Sequence, residues 1–323
     1  MNVTILGAGA YALALAYRFC EKNNVIMWSA IKEEIDDLTK TRKNPNALDV
    51  TMPEKVKYTS DIEEALKKCD IVVIAVSTKY VKNVCITIKK YINDKIIVIT
   101  SKGIEQESLM FASMIVKHIL KSKKVCTLSG PSFAIDMIDI NNIIGLSLAA
   151  TNKTSREIVK NAISSNTLKI RCTDDFIGVE LCGAMKNVVA IASGIIDGLN
   201  ACDSTKAMFL TECINDVRHL IKKLGGNEKT ILSFAGIGDI LLTSSSKTSR
   251  NFQYGKMVGD GFSKDSLDAF LKQNTVEGVY TLVSIYKIIR SKRIKLPFLE
   301  LIYNILVNGL DSRSILSFMI NKE

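Results

Sequence analysis

Residues 1–20 read MNVTILGAGAYALALAYRFC, and this stretch decides the fold. Residues 2–6 form a short apolar run that is typical of a strand buried on both faces. Gly7 and Gly9 follow at once, and residues 11–19 have the alanine-rich pattern of a helix. Gly7 permits a tight turn, Gly9 lets a pyrophosphate approach the backbone, and the helix N-terminus offers free N–H groups to that phosphate. The stretch therefore predicts a dinucleotide-binding turn, although a strand–turn–helix without a ligand has the same local pattern.

Two features of this unit bear on the choice of nicotinamide cofactor. Ala12 stands at the third glycine position of the G-x-G-x-x-G/A fingerprint, where a small residue suffices for packing the helix against the strand. The second predicted strand, residues 25–28, is followed by Ser29 and Ala30 instead of the acidic residue that holds ribose hydroxyls in NAD-binding folds. Lys32 is placed to approach a 2′-phosphate, unless it is only a solvated helix residue. We expect NAD or NADP as cofactor, with NADPH weakly favoured.

Strands and helices continue to alternate outward from this unit. With helices between them, apolar strands are predicted at 71–76, 95–100, 124–128, 143–149 and 168–172. Such alternation indicates a doubly wound parallel sheet of the Rossmann type, with ligands at the carboxyl ends of the strands. Lys102 and Ser132 directly follow two of these strands, so we expect both at the ligand edge. Helical periodicity then takes over, which predicts a dinucleotide-binding domain at 1–173 and an all-helical substrate and catalytic domain at 174–323.

Two local patterns give further expectations. Residues 60–63, Ser-Asp-Ile-Glu, have the spacing of a capping box with Ser60 as the N-cap residue. In the helical half of the chain, glycines predict loops between helices at Gly236, Gly238, Gly255, Gly259 and Gly261.

Composition argues against several classes of protein. The hydrophobic fraction is 47% and the charged fraction 24%, as in ordinary soluble globular proteins. The eight cysteines are scattered without a CxxC pair, which predicts reduced, buried thiols in a cytoplasmic protein. His118 and His219 are far apart, so we expect neither a metal site nor a Ser-His-Asp triad. No apolar run is expected to reach the length of a membrane span, and no signal peptide is expected.

The formal net charge of +10 raises the question of an anionic partner. The lysines are spread along the chain, and we find no dense basic arm or aromatic-interleaved patch of the kind that binds nucleic acid. We attribute the charge to compositional bias and expect no nucleic-acid partner. A phosphorylated small molecule is compatible with it.

Residues with chemical potential cluster after the predicted domain boundary. Residues 178–187, GVELCGAMKN, predict an apolar helix of small residues that contains Lys186. Burial there would lower the pKa of the lysine and make it a usable general acid or base; alternatively, its side chain reaches solvent past the helix surface. Asp239 follows a glycine-rich turn, and Arg250 stands between two polar residues. Taken singly, the first is equally well explained as a helix N-cap and the second as part of a surface loop.

Together these motifs resemble one family, the bacterial type of NAD(P)-dependent sn-glycerol-3-phosphate dehydrogenase. The resemblance runs along nearly the whole chain, through ILGAGAYALALA (5–16), SKG (101–103), SGPSFA (129–134), GVELCGAMKNVVAIASGIIDGL (178–199), GIGDILLT (236–243), SRN (249–251) and VEG (276–278). It implies an oxidoreductase that transfers a hydride between NAD(P)H and dihydroxyacetone phosphate. The product, sn-glycerol 3-phosphate, would supply phospholipid synthesis.

The resemblance also implies roles for individual residues. Lys186 matches the family's proton donor and acceptor, and Lys102 and Asp239 complete the catalytic set. The matched substrate-binding residues are Lys102, Gly130, Ser132, Lys186, Asn187, Asp239, Thr243, Ser249, Arg250 and Asn251. The matched cofactor-binding residues are Gly7, Gly9, Ala10, Tyr11, Ala12, Ala30, Lys102, Ala134, Arg250, Thr275 and Glu277. Departures from the family pattern at Ala10, Ala12 and Ala30 bear on the choice between NAD and NADP and leave the reaction intact.

The expected partners are a phosphorylated small molecule and a second copy of the chain in a homodimer. Two other functions stay open on the sequence. One is a related two-domain dehydrogenase of another small hydroxy or keto compound, which would not need the Ser-Arg-Asn segment. The other is a non-catalytic protein that binds nicotinamide nucleotides, which would need only the N-terminal half and not Lys186, Lys102 and Asp239.

Overall fold

The strand, turn and helix predicted at the N-terminus lie within an eight-stranded sheet. The computed structural model describes residues 1–321. The strands are β1 (Asn2–Leu6), β2 (Asn24–Trp28), β3 (Lys57–Thr59), β4 (Ile71–Ile74), β5 (Ile96–Ile99), β6 (Val125–Ser129), β7 (Ile144–Ala150) and β8 (Leu168–Thr173). Their order across the sheet is β3-β2-β1-β4-β5-β6-β7-β8. This arrangement confirms the predicted Rossmann-type class and adds β3, which the sequence pattern did not indicate.

The last two strands run against the others. β1 to β6 pair in parallel, β7 pairs antiparallel with β6, and β8 pairs parallel with β7. The expectation of an all-parallel sheet is therefore wrong for these two. The connection from β6 to β7 contains only the four-residue helix Ala134–Met137. Because a parallel return needs a full crossover, usually a longer helix, this chain returns antiparallel.

Seven α-helices of the described chain accompany the sheet. They are α1 (Ala10–Phe19), α2 (Lys32–Thr41), α3 (Ile62–Leu66), α4 (Thr78–Ile88), α5 (Ala112–Leu120), α6 (Ala134–Met137) and α7 (Lys153–Ile163). Residues of α1 and α7 pack with the strands in one apolar core. Helix α3 has Asp61 as its N-cap, whose carboxylate accepts the N–H groups of Glu63 and Glu64. The predicted capping box on Ser60 is thus wrong by one residue, because the carboxylate is the better-placed acceptor.

A buried arginine on α1 anchors the connection between β6 and β7. The Arg18 side chain is only 3% exposed, and burial lowers the pKa of its guanidinium. Its five N–H groups all donate hydrogen bonds, to the carbonyls of Met137, Asp139, Ile140 and Asn142 and to the hydroxyl of Thr167. Arg18 therefore holds in place the segment that follows the SGPSFA motif.

Replacing Arg18 with methionine is expected to lower the free energy of unfolding by about 2 kcal/mol or more, because five buried or partly buried acceptors lose their donor. Urea denaturation measures this. Lys22→Met is the matched control, since Lys22 donates to the carbonyls of Asn161 and Ser164 at an exposed position. Surface changes of this kind stay within about 0.5 kcal/mol. Equal midpoints for the two variants would contradict the anchoring role.

The helices of the second half follow without a strand among the described residues. They are α8 (Phe176–Gly198), α9 (Asp203–Lys223), α10 (Asp239–Ser245), α11 (Arg250–Gly259), α12 (Lys264–Gln273), α13 (Glu277–Ser291), α14 (Pro297–Asn308) and α15 (Ser314–Asn321). Gly255 and Gly259 lie inside α11, so the expectation of loops there is wrong. Gly236 and Gly238 lie in a π-helical turn directly before α10, and Gly261 follows α11 with φ +79°.

Contacts divide the chain into two compact units. The first comprises residues 1–102 and 111–176, and the second comprises residues 103–110 and the chain from 177 onward. The segment 103–110 thus belongs with the helical half although it precedes β6 in the sequence. The functional division at residues 173 and 174 stays a prediction.

Helix α8 corrects the expectation that no apolar run reaches the length of a membrane span. It has 23 residues, and its most apolar window has a mean hydropathy of 1.5. However, 89% of that window is buried inside the protein. Burial inside the protein accounts for this composition, so α8 is not evidence of a membrane span.

All eight cysteines are free thiols. Six are buried, whereas Cys172 and Cys202 are exposed. Burial raises the pKa of Cys85 and that of Cys126 to about 12, which keeps both thiols protonated at neutral pH. The expectation of buried, reduced thiols therefore holds for six of the eight.

Candidate active site

The glycine turn between β1 and α1 has the geometry that a dinucleotide requires. Gly7 has φ +124°, and a β-carbon there would lie 2.8 Å from the carbonyl oxygen of Ala75. Gly7 N–H donates to the carbonyl of Trp28 at 2.7 Å. A β-carbon on Gly9 would meet no atom within 4 Å, and α1 begins at the next residue, Ala10. The residues present thus fit a pyrophosphate at the N-terminus of α1.

Four predicted site residues gather beside this turn. The hydroxyl oxygens of Tyr11 and Ser132 lie 3.0 Å apart. Ser132 Oγ donates to the carbonyl of Gly130 at 2.9 Å, so the Tyr11 hydroxyl donates to Ser132. Lys102 Nζ donates to the same Gly130 carbonyl at 3.4 Å and lies 5.7 Å from the centre of the Tyr11 ring. The first unit therefore brings Lys102, the SGPSFA motif and the fingerprint together.

The remaining predicted cofactor residues of this unit have different surroundings. Ala12 is fully buried, so it packs α1 into the core as its place in the fingerprint requires. Ala134 opens α6, two residues beyond Ser132. Ala30 is exposed just after β2.

The end of β2 holds an acidic side chain that the sequence reasoning missed. Ser29 Oγ donates to Glu34 Oε2 at 2.6 Å and accepts the N–H of Ile31 at 3.1 Å. Glu34 lies in the first turn of α2, where its negative charge suits the helix dipole. The spacing of five residues between Ser29 and Glu34 did not predict this contact. The position of the Glu34 carboxylate depends on where α2 begins.

An ion pair joins α8 to α10 in the second unit. Lys186 Nζ donates to Asp239 Oδ1 at 2.8 Å. The Lys186 side chain is 11% exposed and the Asp239 side chain 1%. Lys186 therefore does not reach past the helix surface into solvent. A charge pair this buried is weak evidence for stability, because desolvation offsets the attraction, and it is typical of functional sites.

A π-helical turn, Phe234–Gly238, positions the aspartate. Gly236 has non-helical backbone angles, and a β-carbon there would overlap the carbonyl oxygen of Ile231. Asp239 is the first residue of α10, where the helix dipole favours a carboxylate. Thr243 Oγ1 donates to the Asp239 carbonyl oxygen at 2.7 Å. The GIGDILLT motif is thus one local unit that presents Asp239 to Lys186.

The Ser-Arg-Asn segment opens α11 and is not a surface loop. Ser249 is the N-cap residue and accepts the N–H of Phe252. Asn251 Nδ2 donates to Asn187 Oδ1 at 3.2 Å, and Asn251 Oδ1 accepts the N–H of Gly278 at 2.9 Å. Arg250 is exposed beside them, and no side chain among residues 1–321 pairs with its guanidinium.

The same junction accounts for the last predicted residues. Glu277 is the first residue of α13, and Gly278 follows it against Asn251. Thr275 is exposed just before this helix. The second unit thus gathers the GAMKN, SRN and VEG motifs, which lie up to about ninety residues apart in the sequence.

Family models identify the chain. The models for the N-terminus and the C-terminus of NAD-dependent glycerol-3-phosphate dehydrogenase match residues 2–156 and residues 175–317. The chain belongs to the NAD-dependent glycerol-3-phosphate dehydrogenase family. This membership confirms the resemblance read from the motifs, the predicted class of enzyme and its NAD(P) dependence at the level of the family.

Individual members of the glycerol-3-phosphate dehydrogenase family agree with this assignment. A glycerol-3-phosphate dehydrogenase (NAD(P)+) of Thermoanaerobacter sp. (strain X514) is 34% identical over 313 residues, which cover 96% of this chain and 93% of the relative. That of Bacillus pumilus (strain SAFR-032) is 31% identical over 314 residues, covering 95% and 90%. The crystal structure of glycerol-3-phosphate dehydrogenase from Coxiella burnetii has a TM-score of 0.91 at 27% identity and covers 99% of both chains.

Proposed function

We propose that this chain interconverts dihydroxyacetone phosphate and sn-glycerol 3-phosphate with NAD(P)H or NAD(P)+. The buried pair of Lys186 and Asp239 is the observation that supports this best. A stable core does not need two desolvated charges, whereas a proton donor needs an oriented ammonium group. The family to which the chain belongs supplies the class of reaction.

Lys186 is proposed to move the proton. As negative charge develops on the carbonyl oxygen of the ketone, Lys186 Nζ donates a proton to that oxygen and the alcohol forms. In the reverse direction Lys186 accepts the hydroxyl proton. The Asp239 carboxylate keeps Nζ oriented, and Thr243 holds the first turn of α10. When bound, the reduced nicotinamide supplies the hydride that reaches the carbonyl carbon.

Roles for the other polar residues follow their matches to the family pattern. For Lys102 we propose electrostatic stabilisation of the oxygen that gains charge. For Arg250 we propose recognition of the substrate phosphate, with Ser249, Asn251 and Asn187 completing the polar surroundings. An exposed guanidinium without a partner in the described chain suits a dianionic ligand.

The test is a nicotinamide oxidation assay with dihydroxyacetone phosphate, run with NADH and NADPH in parallel. Dihydroxyacetone and an unphosphorylated keto acid serve as comparison substrates. We expect turnover of the phosphorylated ketone and release of sn-glycerol 3-phosphate. Turnover of the keto acid alone would favour a related dehydrogenase, and nucleotide binding without any turnover would favour a binding protein.

Cofactor choice is proposed to lean slightly towards NADPH. The residues directly after β2, Ser29 and Ala30, carry no charge, and Ala30 is exposed. Glu34 reduces the strength of this preference, because its carboxylate lies against Ser29. Family members whose names give NAD(P)+ agree with the use of either cofactor.

Ala30→Asp is expected to lower kcat/KM for NADPH about 10-fold while NADH is little affected, because a carboxylate would repel the 2′-phosphate. Ala30→Asn is the matched control, since it adds the same volume without the charge. Steady-state kinetics measure the ratio of kcat/KM for NADPH to that for NADH in each variant. A strong preference of the unchanged protein for NADH, or equal ratios in the two variants, would contradict this interpretation of the turn.

We further propose a cytoplasmic homodimer whose product supplies phospholipid synthesis. The six buried free thiols suit a reducing compartment. The burial of α8 removes the one described helix with the composition of a membrane span. Size-exclusion chromatography with light scattering tests the oligomeric state.

A further inference from the structure

The helices that carry Lys186 and Arg250 touch through their backbones. Two glycines of α8, Gly194 and Gly198, face two glycines of α11, Gly255 and Gly259. We call these four residues the glycine seam. A β-carbon added at any of these four glycines would overlap backbone atoms of the opposite helix. Packed helices normally lie about 8–10 Å apart, and such contacts require a closer approach because no side chain separates the backbones.

The overlaps are specific and leave no room for a methyl group. A β-carbon on Gly255 would overlap the carbonyl oxygen of Ile191, and one on Gly194 would overlap that of Phe252. The same β-carbon on Gly194 would lie 2.7 Å from the amide nitrogen of Lys256. Backbone atoms in regular helices cannot move aside alone. An added methyl group must therefore displace one helix against the other.

One end of the glycine seam lies at the candidate active site. Asn187 and Asn251, which share a hydrogen bond, directly follow Lys186 and Arg250 in the sequence. Gly278 closes this end, since a β-carbon there would lie 2.7 Å from the carbonyl oxygen of Asn187. The Gly278 N–H donates to Asn251. Both asparagine amides are thus used to join helices.

At the other end of the glycine seam, ion pairs join α8 to its neighbours. Asp197 on α8 pairs with Lys256 on α11 at 3.3 Å and with Lys206 on α9 at 2.6 Å. The hydrogen bond from Lys206, assisted by Lys256, lowers the pKa of the Asp197 carboxyl. The two helices are therefore joined at both ends, and the glycine seam lies between these joints.

We propose that the glycine seam fixes the separation of Lys186 and Arg250 and so makes Gly255 and Gly194 positioning residues for a phosphorylated substrate. The proposal rests on the proposed function. A small ketone phosphate has one short span between its carbonyl oxygen and its phosphate. The proton donor and the phosphate-binding guanidinium must match that span together, and a misplacement of about 1 Å can cost about 10²-fold in rate.

Gly255→Ala tests the proposal. We expect kcat/KM for dihydroxyacetone phosphate to fall by about 10²-fold. The ratio of kcat/KM for dihydroxyacetone phosphate to that for dihydroxyacetone should fall as well, because only the phosphorylated substrate spans both groups. Affinity for NADPH, measured by fluorescence without substrate, should fall far less than kcat/KM, because Arg250 is only one of the residues that match cofactor contacts. Gly259→Ala at the far end of the seam should show the same pattern more weakly.

Ile302→Ala is the control for lost stability. Ile302 is fully buried in α14 of the same unit and lies outside the seam. We expect this variant to have a lower melting temperature than the unchanged protein. Its kcat/KM for dihydroxyacetone phosphate and its ratio of activities on the two substrates should stay unchanged. If Gly255→Ala folds poorly, Gly259→Ala provides the same comparison. An unchanged kcat/KM for dihydroxyacetone phosphate and an unchanged substrate ratio in the glycine variants, or equal changes in Ile302→Ala, would overturn the proposal. If the unchanged protein turned over neither substrate, the proposed function would fail, and this proposal with it.

Discussion

Replacing Lys186 with alanine is expected to lower kcat by about 10²–10⁴-fold, the usual range for a general acid or base. The ammonium group of Lys186 donates a hydrogen bond to the buried carboxylate of Asp239 at 2.8 Å. Its loss removes the proposed proton donor from the site. Steady-state kinetics and NADPH binding, measured side by side, should show lost turnover with retained cofactor affinity.

The alanine variant also removes the Lys186 ion pair from the buried carboxylate of Asp239, and breaking a buried pair costs about 3–5 kcal/mol of stability. Activity and folding must therefore be separated. The double variant Lys186→Met with Asp239→Asn removes both charges, so we expect most of the stability to return while kcat stays low. Lys222→Ala is the matched control, because Lys222 pairs with Glu228 at an exposed position in the same unit. If kcat of Lys186→Ala stayed within about threefold of the unchanged protein, the assignment of Lys186 as the proton donor would be wrong.

Arg250→Ala is expected to raise KM for dihydroxyacetone phosphate steeply. A phosphate is best held by a permanently charged group with paired donors, which a guanidinium provides and an ammonium does not. Each charge-assisted hydrogen bond lost costs about 1.5–3 kcal/mol, or roughly 10- to 150-fold in kcat/KM. Some loss of NADPH affinity is expected as well, because Arg250 also matches a cofactor contact of the family.

The deciding measurement is the ratio of activities on dihydroxyacetone phosphate and dihydroxyacetone. That ratio should collapse in Arg250→Ala and recover only in part in Arg250→Lys. Arg290→Ala serves as the control, since Arg290 is an exposed arginine near the end of α13. Equal losses on both substrates would show that Arg250 is structural and that the phosphate binds elsewhere.

Local patterns in the sequence determined the parts of this protein that depend on near neighbours. The run of residues 2–6 with Gly7 and Gly9 determined β1, the turn and α1, because an apolar strand pattern, a left-handed turn and a helix start are all properties of a few adjacent residues. The motifs around Lys186, Asp239 and Arg250 likewise determined the family. These patterns predicted which residues are candidates for the active site. They left open whether the Lys186 side chain is exposed to solvent or paired with another residue.

Only the tertiary structure decided the pairings between distant residues. It joined Lys186 to Asp239, set Glu34 against Ser29 and buried Arg18 among carbonyls of another segment. The glycines of α11 show the limit of local reasoning, because Gly255 predicts a loop when only its neighbours are considered. Its place inside a helix depends on the backbone of α8, sixty residues away, which leaves no room for a side chain. Glycine costs a helix about 1 kcal/mol relative to alanine, and close packing between helices, which no local pattern encodes, offsets that cost.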